Sequence, residues 1–225
     1  MEKQMEELID CTLTPLGYCV NIYLFDFDKP SDLYQPLFDK LSSVSAEMLK
    51  IILHINSSGG DVSVVIQIIE HLKRLKEQGA HIHIFVEGYC HSAATFFLHL
   101  ADSIEIAPTS SFLFHDISTG VQGKVHNDII DFSSYLKKWV LILSEEYYTG
   151  ILTEDEIKQI ISGKELWFTS VEIQDRLNNY IKSIEEEKKK IEDMLEQKLK
   201  NFNLSFEKEL GKEEKRKRRK KNDKN

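Results

Sequence analysis

The chain has 225 residues, of which 41% are hydrophobic, and it carries a formal net charge of -8. This composition is typical of one sizeable globular domain with an appendage and excludes an intrinsically disordered protein. No apolar run approaches the ~20 residues that a membrane span needs, and the first residues show no signal-peptide pattern. The three cysteines lack metal-site spacing, so we predict a protein of the reducing cytoplasm without membrane contact.

Charge and hydrophobic pattern divide the sequence into three predicted regions. Residues 1–19 form an N-terminal segment, and residues 20–181 form a folded domain that, with this segment, carries a charge of roughly -13. Residues 182–225 form a tail with a charge of roughly +5. Isolated Ile and Leu residues among dense Lys and Glu predict an exposed helix in the tail, and its unbroken basic run at 215–221 predicts disorder.

Strand and helix patterns alternate along the folded domain, which predicts an α/β layer fold. The predicted strands cover residues 20–25, 51–55, 80–86, 104–106 and 112–114. A turn at Lys29-Pro30-Ser31 precedes a helix with apolar positions at Leu33, Leu37 and Leu41, and further helices cover about 61–77, 127–148 and 153–162, with another beginning at Ser92. The continuous apolar run Ile51–Ile55 is typical of a strand buried on both faces.

Two short turns could place reactive groups at strand ends. Gly59-Gly60 follows a predicted buried strand. This segment fits either a turn whose backbone N–H groups stabilise an oxyanion or an ordinary strand-to-helix turn. Ser92 follows the turn Glu87–His91 at a predicted helix start, which fits either an exposed nucleophile or a helix cap.

His115 and Glu165 are the other candidates, and each also has an ordinary structural interpretation. His115 ends a predicted strand and fits either a general base or a hydrogen-bonded structural histidine. Glu165 precedes bulky apolar residues and fits either an acid that orients a histidine or a solvated carboxylate. His81 and His83 alternate on one strand without a third ligand, so we predict no metal site.

The order and spacing of these pieces resemble one family. Asn56-Ser57-Ser58-Gly59-Gly60 resembles the Asn-Ser-Pro-Gly-Gly motif of the Clp protease proteolytic subunit, and residues 88–92 resemble its Gly-x-x-x-Ser nucleophile turn. Pro108 to His115 resembles the family's Pro-x-Ser-x-x-x-x-His stretch, and residues 165–172 resemble its acid-x-aromatic-x-Ser/Thr-x-x-Glu segment. The resemblance covers roughly residues 20–178, and Asp61 with the Glu-x-Trp form of the acid segment is closest to the phage and prophage branch.

The resemblance implies a serine endopeptidase that works through an acyl-enzyme, without a cofactor. It makes Ser92 the nucleophile and His115 the base, and it assigns the oxyanion hole to the N–H groups of Gly60 and Ala93. The acid position falls on Glu165, for which Asp116 and Asp102 are the competing carboxylates.

The resemblance also implies a Clp/crotonase-type fold of stacked ββα units, with the helix at about 127–148 projecting as a handle. It implies protein or peptide substrates, a homo-oligomeric ring or stacked rings, and an AAA+ ATPase as a possible partner. A phage-encoded chain would be virion-associated rather than cytoplasmic. The basic run 215–221 would contact nucleic acid or an acidic protein surface, the alternative being a solvated, non-binding tail.

Two rival functions remain, of which the first rests on departures from the family pattern and the second on the shared fold. Ser58 stands where the family has proline, and Tyr89-Cys90-His91 is bulkier than the usual residues before the nucleophile. These departures fit a ring or shell component that cleaves poorly or not at all. A crotonase-type acyl-CoA enzyme shares the fold and a backbone oxyanion hole but does not need a Ser–His pair at this spacing.

Overall fold

The computed structural model describes residues 9–14, 17–28, 34–43, 50–120 and 122–222. The chain divides into two compact units, Met1–Ile181 and Lys182–Asn225. Within the described residues, no helix combines the length and the apolar character that crossing a membrane requires. The predicted turn at Lys29-Pro30-Ser31 lies outside the described residues.

The described part of the first unit contains one mixed sheet of seven strands. The strands are β1 (Ile9–Thr14), β2 (Gly17–Leu24), β3 (Lys50–Ser57), β4 (His81–His91), β5 (Ser103–Ile106), β6 (Ser111–Phe114) and β7 (Leu166–Thr169). Their order is β1-β2-β3-β4-β6-β7, and β5 also pairs with β4. Strands β2 to β6 pair in parallel, whereas β1 and β7 are antiparallel to their neighbours.

Helices connect the strands in the alternation that the sequence predicts, which confirms a mixed α/β fold. They are α1 (Gln35–Ser43), α2 (Val62–Glu77), α3 (Asp131–Tyr148), α4 (Glu154–Ile161) and α5 (Ser170–Asn222). A 3-10 helix, Ser92–Leu100, follows β4 and is called the Ser92 helix below; a single π-helical stretch, Val125–Ile130, precedes α3.

The core lies between the helices and one face of the sheet. Alternate residues of β3 are buried, because successive side chains of a strand point to opposite faces, so the prediction that Ile51–Ile55 is buried on both faces is wrong. The apolar stripe predicted for α2 is fully confirmed: Val64, Val65, Ile68, Ile69, Leu72 and Leu75 are all buried. Asp61 begins this helix, since its carboxylate accepts the Ser63 N–H at 2.7 Å.

Strand β4 is longer than predicted, because it continues through the turn expected at 87–91. Its first part pairs with β5, and its last residues, Tyr89 to His91, pair with β6. The Asn56 carboxamide accepts the Tyr89 N–H at 3.0 Å, where the pairing of β3 with β4 shifts register. The strand therefore runs directly into Ser92.

The structure also contains two strands and a helical segment that the sequence analysis did not predict. Strand β1 forms an antiparallel pair with β2, and β7 forms one with β6. Helix α5 continues to Asn222, so the basic run 215–221 is helical where the sequence predicted disorder. Burial in the tail is described to residue 203, and over this range its Ile191, Leu195, Leu199 and Phe202 side chains are exposed, as the sequence predicts.

Candidate active site

Ser92 adopts a strained backbone conformation at the junction of β4 and the Ser92 helix. Its φ is 55°, and among the described residues it is the one non-glycine residue with positive φ. This region is costly for residues other than glycine and persists only when the surroundings impose it. The Thr95 hydroxyl donates to the Ser92 carbonyl at 2.6 Å and fixes this bend from within the helix. A sharp strand-to-helix turn of this kind exposes a serine hydroxyl.

The Gly59-Gly60 turn packs directly against Ser92 and Phe27. The φ angles of the two glycines are 100° and 136°. A Cβ on Gly59 would lie 2.7 Å from Ser92 Cβ, and a Cβ on Gly60 would lie 2.4 Å from the Phe27 carbonyl oxygen. Both positions therefore require glycine, for space as well as for conformation.

Four hydrogen bonds hold this turn in place. The Phe27 N–H donates to the Gly59 carbonyl at 2.8 Å, and the Asp61 N–H donates to the Phe27 carbonyl at 2.7 Å. The Ser58 N–H donates to the Asp26 carboxylate at 2.6 Å, and the Gly59 N–H donates to the Ser57 hydroxyl at 3.1 Å. Asp26 and Phe27 were missed by the sequence analysis. The parallel pairing of β2 with β3 could have indicated them, because parallel strands end at the same sheet edge.

Two backbone N–H groups remain available beside Ser92. The Gly60 N–H makes no hydrogen bond in the part of the chain that the structure describes. Ala93 is the second residue of the Ser92 helix, where N–H groups have no partner within the helix. The Ala93 nitrogen lies 3.2 Å from an ideal Cβ position on Gly59, and both Gly60 and Ala93 line one cleft. The assignment of this pair to an oxyanion hole stays a prediction.

A cleft of about 570 Å³ brings together four of the five predicted site residues: Gly60, Ser92, Ala93 and His115. Phe96, Trp139 and Tyr148 form the aromatic part of its lining, and Asp61, Ser63, Asp116, Ser118 and Thr119 form much of the polar part. Glu165 is not among the lining residues. A concave site with an apolar part and a few polar groups is typical of an enzyme cleft.

His115 follows β6 and is half-buried at the edge of the cleft. Among the described residues, no hydrogen bond joins the His115 ring to the Ser92 hydroxyl or to any carboxylate. Catalytic hydrogen bonds are often long in an unliganded enzyme and tighten with substrate. The structure thus brings the predicted nucleophile and base to one cleft without a direct contact.

Sheet register brings Glu165 to the strand end at which His115 lies. Strands β6 and β7 pair antiparallel, and their last described pair is Phe114 with Leu166. His115 comes directly after Phe114 in the sequence and Glu165 directly before Leu166, so both lie at the same end of the antiparallel pair. The Glu165 side chain is exposed and accepts the Trp167 indole N–H at 3.3 Å.

The two competing carboxylates have other partners. Asp102 accepts the Ile82 N–H at 2.9 Å and forms an ion pair with Lys76 at 3.1 Å, away from the cleft lining. Asp116 lines the cleft, and its carboxylate accepts the Ile117 N–H at 2.5 Å. No hydrogen bond joins Asp102, Asp116 or Glu165 to His115 among the described residues, so the assignment of the acid to Glu165 stays a prediction.

Two further features limit the chemistry of this region. Burial raises the pKa of the Cys90 thiol far above its ordinary value, so this neighbour of Ser92 is not a competing nucleophile. Within the described ranges, no group of three or more His, Cys, Asp or Glu side chains could hold a metal ion. The groups present suit a hydroxyl nucleophile with a histidine base.

The family model described as Clp protease matches residues 31–175 of the chain, a range that includes the Gly59-Gly60 turn, Ser92, His115 and Glu165. No curated protein matches the chain.

Proposed function

Because the chain belongs to the Clp protease family, we propose that it is a serine endopeptidase that cleaves protein substrates through an acyl-enzyme. The observation that carries this proposal is the conformation of Ser92. A non-glycine residue at φ 55°, on the rim of a cleft that also contains His115, is difficult to explain by packing alone. Strain of this kind clusters at functional sites.

In the first half of the proposed reaction, the His115 ring accepts the proton of the Ser92 hydroxyl as the oxygen attacks the scissile carbonyl carbon. The negative charge that develops on the carbonyl oxygen is stabilised by the N–H groups of Gly60 and Ala93. Glu165 orients the His115 ring and stabilises its positive charge. The tetrahedral species then collapses, and the protonated His115 returns the proton to the leaving amine.

In the second half, a water molecule takes the place of the departed amine. His115 accepts a proton from the water as its oxygen attacks the ester carbon, and the same two N–H groups stabilise the second oxyanion. Collapse releases the new carboxyl group and returns the proton to the Ser92 oxygen. One water is consumed for each peptide bond, and no cofactor is required.

A catalytically weak ring or shell component is the second candidate, and one observation favours it. In the described part of the chain, His115 makes no hydrogen bond with Ser92 or with Glu165. A protein that kept the fold for assembly alone would tolerate such a loose arrangement. Reaction at Ser92 separates the two candidates, since only an assembled site activates the hydroxyl.

A fluorophosphonate probe tests the proposal, with Ser92→Ala as the test variant and Ser118→Ala as the matched control from the same cleft. We expect labelling of the wild type and of Ser118→Ala but not of Ser92→Ala. Casein cleavage should fall by several orders of magnitude in Ser92→Ala, because the nucleophile is lost. Cleavage by Ser92→Ala at the wild-type rate would overturn the assignment, and an unlabelled but folded wild type would favour the shell component.

Self-assembly is the finer part of the proposal, and α3 supports it. Its Tyr135, Leu141 and Ile142 side chains are 56%, 43% and 60% exposed, and they follow Ile130, which is 46% exposed. Exposed apolar side chains on one helix suit contact with further copies of the chain. In this proposal α3 is the handle between stacked rings. An AAA+ ATPase would be the partner that delivers substrates to these rings. Light scattering should give an oligomer at micromolar concentration; a stable monomer would contradict it.

A further inference from the structure

Trp167 is a large aromatic residue on the open face of the sheet, close to the predicted acid. Its side chain is 58% exposed, whereas its neighbours Leu166 and Phe168 pack against the core. Trp167 lies on β7 two residues after Glu165, and alternate residues of a strand point to the same face. Exposed aromatic residues that occur singly need no explanation, but this one makes two specific contacts.

The first contact joins Trp167 to the carboxylate that the mechanism requires. The indole N–H donates to Glu165 Oε2 at 3.3 Å. A carboxylate has two oxygens and accepts several hydrogen bonds, so this contact leaves Oε1 free for the ring N–H of a histidine. His115 is the residue opposite Glu165 when the β6–β7 ladder is continued by one position.

The second contact fixes the indole itself. The His91 and Trp167 rings form a T-shaped contact with a centroid distance of 5.3 Å and an interplanar angle of 80°. His91 Nε2 is in turn 2.7 Å from the Ser111 hydroxyl, so the ring is held by β6. A chain of contacts therefore runs from the sheet through His91 and Trp167 to Glu165.

A glutamate at this position needs such support more than a shorter acid would. Glu165 is exposed, and an exposed glutamate side chain has several rotamers to lose before it can serve a histidine. A donor that holds one carboxylate oxygen reduces that loss before substrate arrives. Among the described residues, Trp167 is the only side chain with a hydrogen bond to Glu165.

We propose that Trp167 is a positioning residue whose indole N–H holds the Glu165 carboxylate at the His115 end of the sheet. The inference rests on the proposed serine peptidase mechanism, because it assigns Trp167 a role only through Glu165. Trp167 is not among the residues that line the cleft around Ser92.

A double-mutant cycle of Trp167→Phe and Glu165→Ala tests this role. Trp167→Phe keeps an aromatic ring against His91 and removes only the donor. We expect kcat to fall about tenfold with KM unchanged, the size typical of a hydrogen bond to a charged group. In the Glu165→Ala background the same substitution should change kcat little, because its target is absent.

Tyr89→Phe is the matched control. Tyr89 is 57% exposed and also meets the His91 ring, at a centroid distance of 4.8 Å, but among the described residues it makes no hydrogen bond with Glu165. This variant should keep the wild-type kcat. An unchanged or higher kcat in Trp167→Phe, or an equal loss with and without Glu165, would overturn the inference.

The indole N–H resonance of Trp167 gives a readout that does not depend on turnover. The chain has two tryptophans, so Trp139→Phe assigns the signal. Glu165→Ala should shift the Trp167 resonance, and a resonance that ignores this substitution would overturn the inference. Failure of the fluorophosphonate probe to label wild-type Ser92 would instead overturn the peptidase mechanism on which the inference rests.

Discussion

The Gly59-Gly60 turn beside Ser92, here the fastened half of the candidate site, is held by several hydrogen bonds, whereas His115 and Glu165, the loose half, have few. The Gly59-Gly60 turn has four hydrogen bonds of 2.6 to 3.1 Å. His115 has no side-chain hydrogen bond among the described residues, and Glu165 has one at 3.3 Å. In the proposed mechanism the fastened half is therefore preorganised, and the loose half would complete its geometry when substrate binds.

The largest effect is expected from the loose half, in spite of its poor contacts. Glu165→Gln should reduce kcat by about a thousandfold, because an amide cannot stabilise the positive charge of the His115 ring. Stability should be unchanged, since the side chain is exposed. Steady-state kinetics with a fluorogenic peptide, beside a denaturant unfolding curve, measure both. A normal rate in this variant, with loss of rate in Asp116→Asn, would move the acid role to Asp116.

The fastened half should instead respond in stability as well as in rate. Gly60→Ala places a methyl group 2.4 Å from the Phe27 carbonyl oxygen, so the free energy of unfolding should fall by about 3 kcal/mol. The rate should fall about a hundredfold, because the Gly60 N–H is displaced.

Gly79→Ala is the control for this substitution. Its φ is +103°, but nothing lies within 4 Å of its ideal Cβ, so only conformational strain of about 1 kcal/mol remains. Equal destabilisation by the two variants would show that the contact with Phe27 is unimportant.

His99, near the C-terminal end of the Ser92 helix, should make the free energy of unfolding sensitive to acid. Burial lowers the pKa of His99 to about 4, and its Nε2 has no hydrogen-bond partner in the described residues. Above pH 6.5 His99 is neutral in both the folded and the unfolded protein, and its contribution to the free energy of unfolding is complete. This contribution is lost as the pH falls toward 4, because the unfolded chain binds the proton at a higher pH than the folded protein does.

The free energy of unfolding should therefore fall by about 2 kcal/mol between pH 7 and pH 5 as a result of His99. Urea unfolding of the wild type and of His99→Phe at both pH values measures this difference. The variant, which cannot titrate, should lose correspondingly less; parallel losses in the two proteins would refute the assignment.

The smallest effect is expected from substitution of Asp26, whose carboxylate accepts a hydrogen bond from the turn. Asp26→Ala removes the acceptor of the Ser58 N–H and should cost about 1 kcal/mol of stability with a several-fold loss of rate. Asp26→Asn retains an acceptor oxygen and should remain close to the wild type. If Asp26→Ala cleaves peptides at the wild-type rate, the turn does not depend on this contact.

The sequence predicts the centre of the fold better than its edges. The runs that form β3 and α2 have clear periodicity, because their side chains meet a continuous core. Strand β7 is four residues long and pairs antiparallel at an edge, so its pattern is too short to recognise. Strand β4 was predicted to end early because Gly88 resembles a turn residue, whereas the Asn56 side chain occupies the space beside it.

The candidate site shows the same division. Ser92, His115 and the two glycines could be identified because each follows a strand and matches a motif. Asp26 contacts a segment distant in sequence, and the hydrogen bond from Trp167 to Glu165 depends on side-chain geometry. No local sequence pattern contains either contact. The role of Glu165 stays a prediction, since the register brings it to the correct strand end without a contact to His115.

Ser58 changes how the turn is restrained before the protein folds. A proline at this position would limit the backbone of the unfolded chain as well as the folded one, whereas the hydrogen bond from Ser58 to Asp26 exists only after folding. The unfolded chain therefore keeps more conformational freedom here, and folding must overcome a correspondingly larger loss of entropy. In exchange, the Ser58 N–H gives the turn a link to the end of β2 that a proline, which has no N–H, could not form.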